Sequence, residues 1–191
     1  VVRYHRTMDL STGLRIGRVR GIDIRVHWSW LFIFALVAWN LQSAIVPGIA
    51  PGWSAQQRWL VGAGAALVFF LSVLAHELSH AFVALHYGMR VPSITLFIFG
   101  GVSAIDGEMR HPGEEFRIAV AGPAMSIVLG GLLGALSYVV PGDAGELVFY
   151  LAVVNAMLGV FNLLPGFPLD GGDRKSTRLN SSHLGISYAV F

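Results

Sequence analysis

The sequence of 191 residues contains no cysteine. Disulfides and thiolate metal ligands are therefore excluded, so any bound metal would be held by histidine and carboxylate side chains. Charged residues are also scarce: they make up 13% of the chain, whereas a soluble domain carries about 25%. Hydrophobic residues reach 54%. This balance argues against a soluble domain and predicts an all-α polytopic membrane protein.

The first 26 residues lack a signal-peptide pattern, because they are polar and rich in arginine up to the first apolar run. The net charge is only +2 and the arginines flank apolar segments, which favours membrane topology over nucleic-acid binding. By the positive-inside rule, residues 1–26 are predicted to be a cytoplasmic arm, extended or in a short strand, of a protein in the cell membrane.

Four apolar runs are long enough to cross a bilayer as helices. They lie at about 28–46, 59–87, 116–140 and 147–164. After the second run comes the β-branched and aromatic stretch VPSITLFIFGGVSAI, which predicts a β-hairpin or re-entrant loop. The predicted fold is thus a four-helix membrane protein with one small β insertion.

The third run carries small residues at a spacing of four, namely Gly122, Ser126, Gly130 and Gly134. Such a ladder lets a second helix approach closely, so these positions are interpreted as helix packing without a chemical role.

The last 19 residues differ abruptly in composition from the rest. Codons for residues 173–183 can spell a common sequencing-library adapter. We therefore expect 173–191 to be a non-native tail, and we expect the membrane core, residues 27–172, to continue in the natural protein beyond Gly172.

An acid and two histidines interrupt the second apolar run, as His76, Glu77 and His80. An ionisable group at membrane depth marks a functional site by default. Positions i and i+4 of a helix share one face, so both imidazoles can reach one zinc ion while Glu77 acts as general base, the HExxH arrangement. The alternative is a chance match with two satisfied histidines, which the apolar setting disfavours.

A catalytic zinc needs a third protein ligand. Asp170 is the best candidate by location, because it follows a helix break at Pro165 and Pro168 on the same side of the membrane as the histidines. Histidines of the loops compete for that role. Asp170 could instead be a capping or turn aspartate, which is the usual interpretation of an aspartate before two glycines. Asn162 could donate a hydrogen bond to an oxyanion or to substrate backbone, or equally form a helix–helix contact.

The motifs HELSH and FNLLPGFPLDGG, together with FGGVSAI and AGPAMS, resemble the site-2 protease family of intramembrane zinc metalloproteases, in a compact branch that often carries CBS domains. The resemblance implies one zinc per chain with His76, His80 and Asp170 as ligands. It implies Glu77 as catalytic acid and base, and Asn162 near the substrate.

The resemblance also implies a transmembrane protein as substrate, such as a membrane-tethered regulator. The hairpin, residues 93–105, would bind an unwound substrate by strand addition, with Gly100 and Gly101 in contact with it. Two rival functions are a metal transporter and an inactive membrane scaffold. A transporter would spread its ligands along a path, and a scaffold would have lost Glu77 or a ligand. The sequence is also compatible with a homo-oligomer.

Overall fold

The structure is a computed structural model that describes residues 13–98, 100–106, 111–163 and 187–190. Helices make up most of these residues, with a small sheet between them. In chain order the elements are β1 Leu14–Val19, β2 Ile22–Val26, α1 Trp28–Asn40, a π-helical turn Leu41–Ile45, α2 Val46–Ile49, α3 Ala55–His86, β3 Arg90–Phe97, β4 Gly100–Asp106, α4 Pro112–Ser137, α5 Asp143–Leu163 and β5 Ser187–Val190.

Four helical segments are long and apolar enough to cross a membrane: Trp28–Ile49, Ala55–His86, Pro112–Ser137 and Asp143–Leu163. The predicted four-helix membrane fold with a small β insertion is confirmed. The last two helices begin about one turn earlier than predicted. Each has acidic residues in its first turn, where the helix dipole favours negative charge, so the polar flanks fold as helix rather than loop.

The predicted hairpin is formed by β3 and β4, which pair antiparallel from Phe97 opposite Gly100 outward. Its sheet is larger than the sequence suggested, because β1 and β2 form a second hairpin. That hairpin turns at Arg20 and Gly21, whose φ angles of 49° and 90° are both positive, as a two-residue type I′ turn requires.

The two hairpins join through parallel pairing of β2 with β3, and β5 extends the sheet along β4 in antiparallel fashion. The strand order follows the chain from β1 to β5. β5 lies within the segment predicted to be a non-native tail. The proposed boundaries at residues 26 and 172 stay predictions.

Helix α3 is the central element of the molecule, with the sheet packed near its C-terminal end. Its start is fixed by a capping box between Ser54 and Gln57, in which each side chain accepts a hydrogen bond from the other's backbone N–H. Near its end, Ala81 and Ala84 pack with Ile22 of β2 and Ile94 of β3, all fully buried. This packing holds the sheet beside the segment of α3 that carries the histidines.

Candidate active site

Helix α3 brings His76, Glu77 and His80 into the interior, with 2%, 0% and 3% of their surfaces exposed. The two imidazoles are one turn apart, and their Nε2 atoms approach to 3.1 Å. This is the convergence that the i, i+4 spacing predicted.

Helix α4 fixes the orientation of both imidazole rings. His80 Nδ1 lies 2.6 Å from the carbonyl oxygen of Ile118. A carbonyl only accepts, so Nδ1 is the donor in this contact and the other ring nitrogen, Nε2, is the one that faces His76. His76 Nδ1 lies 2.8 Å from the hydroxyl of Ser126, which is fully buried. Such partners on the far nitrogen orient metal-ligating histidines.

Gly122 of α4 faces the point where the two Nε2 atoms meet. A Cβ atom at this position would lie 2.5 Å from His76 Nε2 and closer still to His80 Nε2. The hydrogen side chain therefore leaves a space within ligand distance of both nitrogens. Two nitrogen donors converging on such a space fit a zinc ion, which binds histidine nitrogen at about 2.0–2.1 Å.

Strand β4 covers Glu77. Ser103 Oγ donates a hydrogen bond to Glu77 Oε2 at 3.2 Å. A Cβ at Gly101 would lie 2.7 Å from Glu77 Cδ, so only glycine allows the strand this close to the carboxylate. The candidate base is thus enclosed between its own helix and the hairpin.

Three other residues are predicted for the site: Gly100, Asn162 and Asp170. Gly100 begins β4 with a φ of 126° and pairs with Phe97. Asn162 lies in the last turn of α5, where its Nδ2 donates to the Leu158 carbonyl at 2.8 Å, a bond within its own helix. Asp170 lies outside the described residues. Within the described ranges, no third histidine or carboxylate joins the pair in a metal-binding group.

Sequence reasoning missed three residues at this site. The ladder predicts close helix packing, and Gly130 does pack closely on α5, but Gly122 and Ser126 pack on α3 at the histidines themselves. Their motif, AGPAMS, was a visible signal that could have been assigned to the site. Ser103 had no such signal, because its contact with Glu77 depends on how the hairpin packs.

Residues 64–143, which include the histidine pair, Gly122 and Ser126, match the family described as Peptidase family M50. The structure resembles the solved site-2 protease from Methanocaldococcus jannaschii with a TM-score of 0.60 and 31% sequence identity. The match covers 84% of this chain and 68% of that structure. The chain belongs to peptidase family M50, the site-2 proteases. The family predicted from the motifs is confirmed.

The chain is also similar to two curated proteins. Rip3 of Mycobacterium tuberculosis is 47% identical over 168 residues, covering 85% of this chain and 42% of Rip3. Zinc metalloprotease MJ0392 of Methanocaldococcus jannaschii is 31% identical over 166 residues, covering 85% of this chain and 44% of that protein. The chain therefore spans less than half the length of these curated relatives.

Proposed function

We propose that this chain forms the metal-binding part of an intramembrane zinc metalloprotease, which hydrolyses peptide bonds in or near transmembrane segments of membrane-tethered regulatory proteins. The observation that carries the proposal is the 3.1 Å approach of His76 Nε2 to His80 Nε2 over the side-chain-free Gly122. Membership of family M50 and the name of MJ0392 support both the activity and the choice of zinc.

In this proposal His76, His80 and Asp170 hold one zinc ion, and Glu77 is the catalytic acid and base. A zinc ion at this site would supply Lewis-acid chemistry, polarising a peptide carbonyl and lowering the pKa of water. Glu77 would take a proton from water and return it to the leaving amine, as a carboxylate next to the metal ligands can. Ser126 and the Ile118 carbonyl would hold the imidazoles in the ligating orientation.

The substrate would be bound as an extended strand. The pairing of β4 with β5 supports this role. β5 adds to the outer edge of β4 as an antiparallel strand, with Ser103 opposite Ala189, and a substrate strand would pair with β4 in the same way. A transmembrane helix must unwind before a protease can attack its backbone, and the edge of β4 that β5 occupies here would satisfy the released N–H and C=O groups. Gly100 and Gly101 would leave room for the substrate backbone, and Asn162 would hydrogen-bond to it.

The protein is a multi-pass membrane protein, and we place it in the cell membrane with the N-terminus and the active site toward the cytoplasm. The arginines of the β1–β2 hairpin support this orientation. That hairpin packs near the end of α3, where Arg20 lies over the ring of Phe82 at 5.2 Å.

The test measures zinc content and cleavage of a transmembrane substrate with the full-length protein in nanodiscs. Glu77→Gln removes the base but no ligand, so it should keep about one zinc per chain while the rate falls by at least about 100-fold. Asp170→Ala should lose both zinc and cleavage.

Glu146→Gln is the matched control, since it makes the same change in the first turn of α5 and should cleave like the parent. Cleavage by Glu77→Gln at the parental rate would disprove the assigned base. A parent that binds zinc but cleaves no transmembrane substrate would disprove the proposed activity.

A further inference from the structure

One face of strand β4 lies directly against the carboxylate of Glu77. Alternate residues of a strand point to the same face, and here they are Gly101 and Ser103. A Cβ atom at Gly101 would lie within 3.0 Å of the Glu77 Cγ, Cδ and Oε1 atoms, and Ser103 donates a hydrogen bond to Oε2. The carboxylate therefore lies close against this one strand, which binds one of its oxygens.

The hydroxyl of Ser103 is shielded from bulk water. Ser103 is 1% exposed and Glu77 is fully buried. A hydrogen bond to a carboxylate in such surroundings is stronger than one between neutral groups, and bulk water does not replace it when it is lost. The serine is also unexpected for a buried strand, where β-branched and aromatic residues are preferred.

We propose that Ser103 is a positioning residue for Glu77. The terminal torsion of a glutamate is broad and intrinsically poorly fixed. By binding Oε2, the Ser103 hydroxyl fixes the rotation of the carboxylate relative to the histidine pair. Because the edge of β4 is also the predicted docking site for the substrate, one strand would align both the base and the scissile backbone. This inference rests on the proposed protease function.

The decisive comparison is Ser103→Thr against Ser103→Val in the full-length protein in nanodiscs. The two side chains have the same shape, and only threonine retains the hydroxyl. We expect Ser103→Val to lower kcat by about 10- to 100-fold, the effect of losing a hydrogen bond to a charged group. KM and zinc content should stay close to the parental values. Ser103→Thr should retain most of the parental kcat.

Ser72→Ala is the control, because it removes another buried hydroxyl whose partner is the Val68 carbonyl of its own helix. It should leave kcat unchanged. Equal losses in the Thr and Val variants would indicate a packing role for residue 103 and overturn the proposal. A Ser103→Val enzyme with kcat within about twofold of the parent would overturn it too.

Infrared spectroscopy tests the contact without relying on activity. The difference between the parent and Glu77→Gln identifies the carboxyl band of Glu77, and Ser103→Val should shift that band while Ser103→Thr should not. An unshifted band in Ser103→Val would refute the hydrogen bond. If the parent cleaves nothing, the proposed function fails, and the band still decides whether Ser103 orients Glu77.

Discussion

Gly122 has no side chain to fill the space between His76 and His80, where we propose that the metal lies. A methyl group there would occupy the space on which both Nε2 atoms converge. We therefore predict that Gly122→Ala lowers the affinity for zinc by at least about tenfold, comparable to the loss of a group that orients a ligand. Zinc content after dialysis against a weak chelator measures this.

Gly131→Ala is the matched control on the same helix, since no atom lies within 4 Å of a Cβ at that position. Alanine is the better helix former, so the helix itself should tolerate both changes. Parental zinc affinity in Gly122→Ala would show that the metal lies elsewhere.

The pairing of α4 with α5 depends on another close approach. A Cβ at Gly159 would lie 2.8 Å from the Pro123 carbonyl oxygen, a backbone atom that cannot move aside easily. Gly159→Ala should therefore separate the two helices and destabilise the fold by about 1–3 kcal/mol, the usual effect of overpacking. Thermal unfolding in detergent should show a lower Tm.

Gly134→Ala adds the same methyl group at the same interface, where the nearest atom, Ala152 Cβ, is 3.9 Å away. Its Tm should equal or exceed that of the parent. If the two variants melt at the same temperature, close packing at Gly159 does not limit stability.

Features that depend on local spacing could be predicted from the sequence, whereas contacts between elements could not. Hydropathy revealed the four spans, and the i, i+4 spacing predicted the converging histidines. The parallel pairing of β2 with β3 joins segments about 70 residues apart, so no local pattern reveals it. Gly122 and Ser103 reach the site for the same reason, through helix and strand packing. The role of Asp170 stays a prediction.

The orientation of the whole molecule can be tested because the chain has no cysteine of its own. In a cysteine-free form of the full-length protein, Gly52→Cys introduces a thiol in the loop before α3, and Arg18→Cys introduces one in the β1–β2 hairpin. We predict that a membrane-impermeant maleimide labels Gly52→Cys on intact cells and Arg18→Cys only after permeabilisation. The reverse labelling would invert the proposed topology.

Helix α3 is too long for the bilayer that it crosses. Its 32 residues extend about 48 Å at 1.5 Å per residue, against a hydrocarbon thickness of about 30 Å. A helix longer than the hydrocarbon layer tilts or extends beyond it, and the polar first turn of α3, with Gln56, Gln57 and Arg58, suits the headgroup layer. A change in bilayer thickness would therefore change the tilt of the helix that carries the histidine pair.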